Sequence, residues 1–230
     1  MIDVLHFGFC CHVPVILEGR SGQGKQTAIN FISEYLGYDI VNIILSSTTK
    51  VDDLLGKEKI MKKNNKIKIQ FVKTKFSNAL THNNEKEGRK QIIVLHNLHK
   101  CSSAILEVLI SIFDLHEPKI LYKNGEMEKV NKSFIIGIYN GDNGKDKLPH
   151  TLVSSSIYHI VPNPNEIDIK NIINIKFINS KLKADIDTFE TNFNKVKKIA
   201  LEYNSSFPLT LNDIEKYIEF RRVSKEYFDK

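Results

Sequence analysis

The sequence has no run of apolar residues long enough to cross a membrane. Its 230 residues are 41% hydrophobic and 26% charged, and no stretch approaches the ~18 consecutive apolar residues that a spanning helix needs. The first residues, MIDVLHFGFCCHVPVILEG, include an early acidic residue and lack the basic start and the small-residue cleavage site of a secretory signal peptide. We therefore expect a soluble intracellular protein, in the nucleus or the cytoplasm.

Cysteine is scarce, with three residues in the whole chain: Cys10, Cys11 and Cys101. An odd number excludes a complete disulfide framework, and no CxxC or Cys/His spacing suits zinc. We expect reduced thiols, two of them partly buried, and no metal held by the protein's own residues.

Acidic residues are outnumbered by basic ones, 27 against 33, which gives a net charge of +6. The lysines are spread along the chain beside Asn and Ile, so the excess favours solubility and compositional bias over a dedicated nucleic-acid site. One run is denser, KEKIMKKNNKIKIQFVKTK at 57–75, and is a candidate contact surface for RNA. It lacks the interleaved aromatic residues of an RNA-reading sheet.

What the sequence does contain is a glycine-rich loop, EGRSGQGKQT at 18–27, directly after a short apolar run. Gly19, Gly24 and Lys25 have the G-x-x-x-x-G-K spacing of a phosphate-binding P-loop. In such a loop the backbone N–H groups wrap the phosphates, and the following helix adds its N-terminal dipole. The alternative is a tight strand-to-helix turn without a ligand.

The Ser or Thr that follows the P-loop lysine and normally contacts Mg²⁺ is replaced by Gln26. Thr27 carries a hydroxyl, but one position along a helix is a rotation of about 100°. We expect ATP or ADP to bind without a firm Mg²⁺ contact. The predicted nucleotide-binding residues of the loop are Gly19, Arg20, Ser21, Gly22, Gln23, Gly24, Lys25, Gln26 and Thr27.

The patterns around the loop predict an α/β fold with a parallel sheet. Predicted strands cover 13–19, 39–47, 91–97, 133–141 and 155–162. One predicted helix begins at Lys25, and another lies within 102–118, with Pro118 beyond its end. A short helix or turn is predicted at 51–58, and a further helix within 71–82. An Asn-Gly pair at 124–125 predicts a hairpin over 119–130. The other polar residues of 59–90 receive no assignment.

After PNPNE at 162–166 the sequence changes character, and no core strand is predicted beyond this point. Helices are predicted at 166–179, about 186–204 and 210–228. We therefore expect a P-loop α/β domain over 1–162 and a small helical lid over 163–230.

In their order along the chain, these segments resemble AAA+ ATPases of the midasin/dynein-related branch. The matching stretches are VILEGRSGQGKQTAI, VNIILSSTTKVDDLLGKE, QIIVLHNLHKCSSAILEVLISIFD, the Asn-Gly hairpin, FIIGIYNGDNGKDKLPHTLVSSSIYHIV and FPLTLNDIEKYIEF. The resemblance implies a three-layer α/β/α sandwich with a helical lid, and a nucleotide in the cleft between them. It also implies ATP hydrolysis as the family activity, neighbouring AAA+ modules in a ring, and a place in ribosome biogenesis.

The same resemblance shows which catalytic groups are missing. The Walker B Asp and Glu, which hold Mg²⁺ and activate water, correspond here to His96 and Asn97. Histidine is a poor Mg²⁺ ligand, and an amide cannot take a proton from water. His96 and His99 could form a transition-metal pair, but no third ligand is in view. Asn140 matches the polar sensor 1 residue, although Asn-Gly is also a plain turn signal.

The arginines that the family uses around the γ-phosphate are missing as well. The two arginine-finger positions correspond to Ser154 and Ser156, and the sensor 2 arginine corresponds to Asn212. No arginine lies between Arg89 and Arg221. This module is therefore not expected to neutralise charge on a neighbour's phosphoryl group.

A kept phosphate loop with lost catalytic groups predicts a module that binds nucleotide without turning it over, as a structural or regulatory part of a longer ring-forming protein. Two alternatives remain open. An active ATPase could take a displaced carboxylate from Asp52, Asp53, Glu58 or Glu107. A basic module without nucleotide could use 57–75 on RNA or on a ribosomal precursor.

Overall fold

A computed structural model describes residues 1–63, 66–81, 91–131, 134–141 and 148–180, with isolated helical positions at 195, 216, 219 and 220. Its helices are α1 (Ile2–Cys11), α2 (Lys25–Leu36), α3 (Val51–Leu55), α4 (Lys75–Thr81), α5 (Ser103–Ile112), α6 (His150–Ser154) and α7 (Glu166–Ser180), with a 3₁₀ turn at Leu98–Lys100. Its strands are β1 (Val15–Glu18), β2 (Asp39–Ile44), β3 (Gly56–Lys63), β4 (Lys66–Lys73), β5 (Gln91–His96), β6 (Lys119–Leu121), β7 (Met127–Lys129), β8 (Phe134–Tyr139) and β9 (Ile157–Ile160).

Five of these strands form a parallel sheet in the order β2-β5-β8-β1-β9. They are the five strands that the apolar runs predict, and parallel strands covered on both faces need such near-continuous apolar sequences. β1 lies between β8 and β9, both of which come much later in the chain. The loop that follows β1 therefore starts from an internal strand of the sheet.

The sheet separates two hydrophobic layers, as the alternating side chains of β5 show. Ile93 and Leu95 contact one layer, and Ile92 and Val94 contact the other. The first layer also contains buried residues of α3, α4 and α5: Leu54, Leu55, Phe76, Leu80, Ile105 and Leu109. The second contains residues of α1 and α2: Leu5, Ala28, Ile29 and Ile32. The predicted three-layer α/β/α arrangement is thus confirmed.

The largest difference from the predicted elements is a two-stranded antiparallel hairpin, β3–β4, which we call the arm (Gly56–Lys73). The sequence predicted a short helix or turn as far as 58 and a helix from Phe71 onwards, and left the residues between them unassigned. The helix α3 ends at Leu55, because β3 begins at Gly56. The helix α4 begins only at Lys75, because Phe71–Lys73 belong to β4. Lysines interrupt the apolar alternation that usually reveals a strand, so the arm's sequence looks like a polar loop.

A helix before the first strand was also missed. In α1, Leu5 and Gly8 are buried, and a Cβ at Gly8 would collide with the side chain of Val15. Gly8 therefore permits close contact between α1 and β1. The expectation of two partly buried cysteines was wrong, since Cys10 and Cys11 are exposed at the end of α1 and Cys101 is half-buried.

The helix α2 appears where the apolar spacing predicts it, but not all of its apolar residues are buried. Ile29 and Ile32 are buried, whereas Phe31 and Tyr35 point outwards and stack on each other, with ring centroids 6.4 Å apart. An i, i+4 aromatic pair on a helix can satisfy itself in this way. The helix α5 is likewise shorter than predicted, ending at Ile112.

By their internal contacts the residues divide into two compact units. One comprises Met1–Arg20 with Lys25–Val161, and the other Ser21–Gly24 with Pro162–Lys230. In the second unit, α7 appears where the first lid helix is predicted. The predicted helices at about 186–204 and 210–228 lie outside the described residues, so the lid domain stays a prediction. No helix in the described part of the chain is long and apolar enough to span a membrane.

Candidate functional site

The carboxyl ends of three neighbouring strands, β5, β8 and β1, meet at one edge of the sheet. In register, Glu18 at the end of β1 lies beside Tyr139 of β8, and Leu95 of β5 lies beside Gly137. Ligands of open α/β sheets bind outside the carboxyl ends of the strands, where the strand order reverses. The glycine-rich loop leaves β1 at this edge.

Two glycines give this loop a backbone that other residues rarely adopt. Gly22 has φ 79° and Gly24 has φ 76°, both in the left-handed region. A Cβ at Gly24 would meet no atom within 4 Å. Gly24 is therefore required by backbone conformation, and the space beside it is open.

Lys25, the first residue of α2, has its ammonium group turned onto the loop that precedes it. The side chain is 6% exposed, and Nζ donates hydrogen bonds to the carbonyl oxygens of Gly19 (2.5 Å) and Arg20 (2.6 Å). A buried ammonium group needs such partners because its charge is costly to remove from water. The structure thus brings together the cation and the loop that the P-loop spacing predicts.

The remaining predicted loop residues differ in their surroundings. Arg20, Ser21 and Thr27 are exposed. Gln23, in the second unit, donates from Nε2 to Asn163 Oδ1 at 2.5 Å.

Gln26 stands where the family has its Mg²⁺-contacting hydroxyl. Its Nε2 donates to Asn30 Oδ1 (2.8 Å), one turn further along α2. Its Oε1 is buried and has no hydrogen-bond partner among the described residues. This oxygen is an acceptor, so it suits a cation or a water molecule and does not suit a phosphate.

The Walker B positions hold neutral groups that are engaged with β2 and the residue after it. His96 Nε2 lies 2.8 Å from Asn42 Oδ1, so this nitrogen carries the hydrogen, and burial lowers the pKa of His96. Asn97 has φ 62° and donates from Nδ2 to the carbonyl of Leu45 at 3.5 Å. An imidazole and an amide do not fit the Mg²⁺ of a hydrolytic site, which prefers carboxylates.

Asn140, the predicted sensor 1 residue, lies just after β8 and contacts a residue that the sequence did not link to it. Its backbone N–H donates to His99 Nδ1 at 3.4 Å, and the His99 ring meets Tyr139 edge-on at 6.2 Å. His99 therefore faces β8. No group of three His, Cys, Asp or Glu in the described ranges could hold a metal ion.

Glu18 is a polar residue of this edge that the sequence analysis did not single out. Tyr158 of β9 donates its hydroxyl to Glu18 Oε2, and burial together with this contact raises the pKa of Tyr158. A Cβ at Gly141 would collide with the same carboxylate. Glu18 thus connects β1 with β9 directly before the loop. The separation of 140 positions between Glu18 and Tyr158 explains why no spacing revealed the pair.

The two serines at the arginine-finger positions bond to their own helix. Ser154 Oγ donates to the carbonyl of Thr151 (3.0 Å), and Ser156 Oγ lies 3.0 Å from the carbonyls of Leu152 and Val153. These hydroxyls satisfy the last carbonyls of α6. Asn212, at the sensor 2 position, lies outside the described residues.

The four carboxylates considered as displaced catalytic groups lie elsewhere. Asp52 Oδ2 accepts an ion-paired hydrogen bond from Lys123 (2.7 Å), and Asp53 accepts from the backbone N–H at the start of α3. Glu58 lies in the arm, and Glu107 is exposed on α5. None of them follows β1, β5 or β8.

A loop with glycines in the left-handed conformation between an internal parallel strand and a helix, with a lysine at the first helical position, defines a P-loop α/β domain. The model of one AAA domain family, the dynein-related subfamily, matches residues 14–155. The chain belongs to this family.

A curated relative, Midasin from Giardia intestinalis, is 27% identical over 188 residues, which are 78% of this chain and 4% of that protein. The chain therefore spans a small part of the length of this relative. A crystal structure of a suggested ATPase from Cytophaga hutchinsonii shares 15% identity, covers 94% of this chain and 78% of the other, and has a TM-score of 0.48. A likeness of this size carries no weight for function.

Proposed function

We propose that this AAA module binds ATP or ADP through Gly19–Lys25 without hydrolysing it, as a structural or regulatory part of a larger ring. The main observation behind this proposal is that the phosphate loop and the Walker B positions, at the same edge of the sheet, differ in what they retain. The phosphate loop keeps its glycine backbone and its lysine, while His96 and Asn97 replace both catalytic carboxylates and contact protein groups.

Phosphate binding is supported by the surroundings of Lys25. Its ammonium group is held by neutral carbonyl oxygens of the loop. Phosphate oxygens would replace these with anionic acceptors, and charge-assisted hydrogen bonds are about twice as strong as neutral ones. The N-terminus of α2, which begins at the same residue, favours the same anion.

The lack of ATP hydrolysis in this proposal follows from the side chains at positions 26, 96 and 97. Family members use nucleotide with Mg²⁺, but this chain offers an amide oxygen, an imidazole and a second amide at those positions. None can replace the carboxylate that orients attacking water. Nucleotide affinity should accordingly depend little on Mg²⁺.

The test is a titration of the chain with a fluorescent ATP analogue, in excess Mg²⁺ and in EDTA. We expect Lys25→Ala to weaken binding by about tenfold or more, since a buried charge-assisted contact of about 1.5–3 kcal/mol is lost. We expect the Kd values with and without Mg²⁺ to differ by less than about threefold.

The matched control is Lys75→Ala. Lys75 is also the first residue of its helix, α4, but it is exposed and does not belong to the phosphate loop. Equal, weak binding by wild type, Lys25→Ala and Lys75→Ala would refute nucleotide binding. Steady-state phosphate release that Lys25→Ala abolishes would refute the lack of turnover and favour the displaced-carboxylate ATPase.

A further inference from the structure

The arm has a firmly held base and two open edges. At the base, Lys73 Nζ pairs with Glu128 Oε1 of β7 (2.8 Å), and Glu128 Oε2 accepts from the Tyr122 hydroxyl (2.9 Å). The ring of Phe71 meets Tyr122 edge-on at 5.0 Å. In the described part of the chain, neither β3 nor β4 pairs with any strand outside the arm. The arm is thus fixed at one end, and no described strand pairs with the backbone groups along its edges.

One face of the arm carries apolar side chains that are not covered. In an antiparallel ladder, directly paired residues share a face, and so do residues two positions apart. Ile60 pairs with Ile69, and Ile67 lies two positions from Ile69. These three isoleucines, which we call the isoleucine face, are 75%, 65% and 74% exposed, respectively. A two-stranded hairpin gains little stability from an apolar face that stays exposed to solvent.

The sequence of the arm is strongly basic. Residues 57–68 carry one acidic residue, Glu58, and six lysines: Lys57, Lys59, Lys62, Lys63, Lys66 and Lys68. Lys57 and Lys59 of β3 alternate with the position of Ile60 and are exposed on the opposite face. Lysines on an open strand edge oppose pairing with a second copy of the same edge, because the like charges repel. They attract an acidic strand at the same edge.

We propose that the β3 edge of the arm docks an extended acidic polypeptide in which apolar residues alternate with Asp or Glu. Such a segment adds a strand to β3. Its apolar side chains then lie against the isoleucine face, and its carboxylates lie on the side of Lys57 and Lys59. Because side chains alternate between faces in both strands, the apolar contacts and the carboxylate–lysine contacts can form together.

The exposed side chains favour this partner over single-stranded RNA. Proteins bind unpaired bases largely by stacking them on aromatic rings or arginine planes. The aromatic residue of the arm, Phe71, is engaged with Tyr122 at the base, and the arm contains no arginine. Isoleucine offers no stacking surface, whereas it packs well against apolar side chains of a neighbouring strand.

The test is fluorescence anisotropy of the whole chain with a labelled peptide of about ten residues that alternates Glu and Val, about the length of the longer natural strands. The double variant Ile60→Thr/Ile69→Thr keeps β-branched residues, so the hairpin is retained while the apolar contact is lost. We expect it to weaken peptide binding by about tenfold. Charge reversal by Lys57→Glu/Lys59→Glu should weaken it to a similar extent.

The matched control is Ile44→Thr/Ile160→Thr, which changes two other exposed strand isoleucines, 75% and 66% exposed, at the ends of β2 and β9. It should bind the peptide as wild type does. Three results would overturn the proposal. One is no binding of the alternating peptide, and another is equal binding of an all-Glu peptide. The third is tighter binding of a single-stranded RNA oligonucleotide that the Ile60→Thr/Ile69→Thr change does not affect.

Discussion

Lys25 and His96 differ in how far their neighbours could be predicted. Lys25 bonds to carbonyls five and six residues away, in a loop whose spacing already indicates phosphate binding. His96 bonds to Asn42, 54 residues earlier, through two adjacent parallel strands. Local geometry decides the first contact and sheet order decides the second, so only the first could be read from the sequence.

Cys101 provides a prediction at this scale. Burial raises its pKa to about 11, while Cys10 and Cys11 are exposed. The thiolate is the reactive form, so at pH 8 only about 0.1% of Cys101 is in that form. We expect two thiols to react quickly with a thiol reagent such as DTNB and the third to react at least tenfold more slowly.

The measurement is the time course of labelling, followed by mass spectrometry of the peptides. Cys101→Ser should remove the slow phase alone, and unfolding in urea should make all three thiols react at similar rates. Three equal rates in the native protein would contradict the half-buried position of Cys101.

At the scale of elements, burial determines what the sequence reveals. β5 and β8 are mostly or wholly buried, so their residues are apolar and both strands were predicted. In the arm, the side chains described at 57–60, 67, 69 and 70 are exposed, so these residues did not have to be apolar on both faces and no strand was predicted. Its strands are defined by pairing with each other, which single-sequence patterns do not report.

The joint between α3 and the arm yields a prediction about Gly56. Gly56 has φ 132°, and a Cβ there would lie 2.5 Å from the carbonyl oxygen of Val72. Gly37, after α2, has φ 68° but would place its Cβ in open space. We expect Gly37→Ala to lower the free energy of unfolding by about 1 kcal/mol and Gly56→Ala by about 3 kcal/mol, because only the second adds a backbone collision.

Urea denaturation of both variants measures the difference. The two glycines serve as mutual controls, since each has positive φ, while Gly56 differs from Gly37 in its φ of 132° and in the backbone contact. Equal losses of stability would mean that the base of the arm yields to the added methyl group, which would contradict its firm attachment.

At the scale of the whole molecule, a sheet order that places β5, β8 and β1 side by side gathers the phosphate loop, His96, Asn97 and Asn140 at one edge. The family match over 14–155 covers this edge. The match with the relative named Midasin covers 4% of that protein. The proposed ring therefore depends on partners beyond this module, whereas nucleotide binding can be measured on the chain itself.

Global stability provides the corresponding prediction. A ligand present at about 100 times its Kd stabilises the folded state by about 2.7 kcal/mol. For a chain of this size this raises Tm by roughly 5–10 °C. We expect ADP to produce such a shift in EDTA as well as in Mg²⁺, measured by differential scanning fluorimetry.

The shift should disappear in Lys25→Ala and persist in Lys75→Ala. A shift that requires Mg²⁺ would contradict the proposed loss of metal binding at positions 26, 96 and 97. It would indicate Gln26 Oε1 as the metal-contacting atom, since this buried acceptor has no partner among the described residues.

The sequence by itself determined the five core strands, the phosphate loop with Lys25, and the chemical types at the Walker B and arginine-finger positions, because each depends on local composition or spacing. Only the tertiary structure decided the contacts of those residues: Asn42 with His96, His99 with Asn140, and Tyr158 with Glu18. It also decided that 56–73 forms an arm with an open apolar face. These features result from pairing between distant segments, which a period of two or 3.6 along the chain cannot encode.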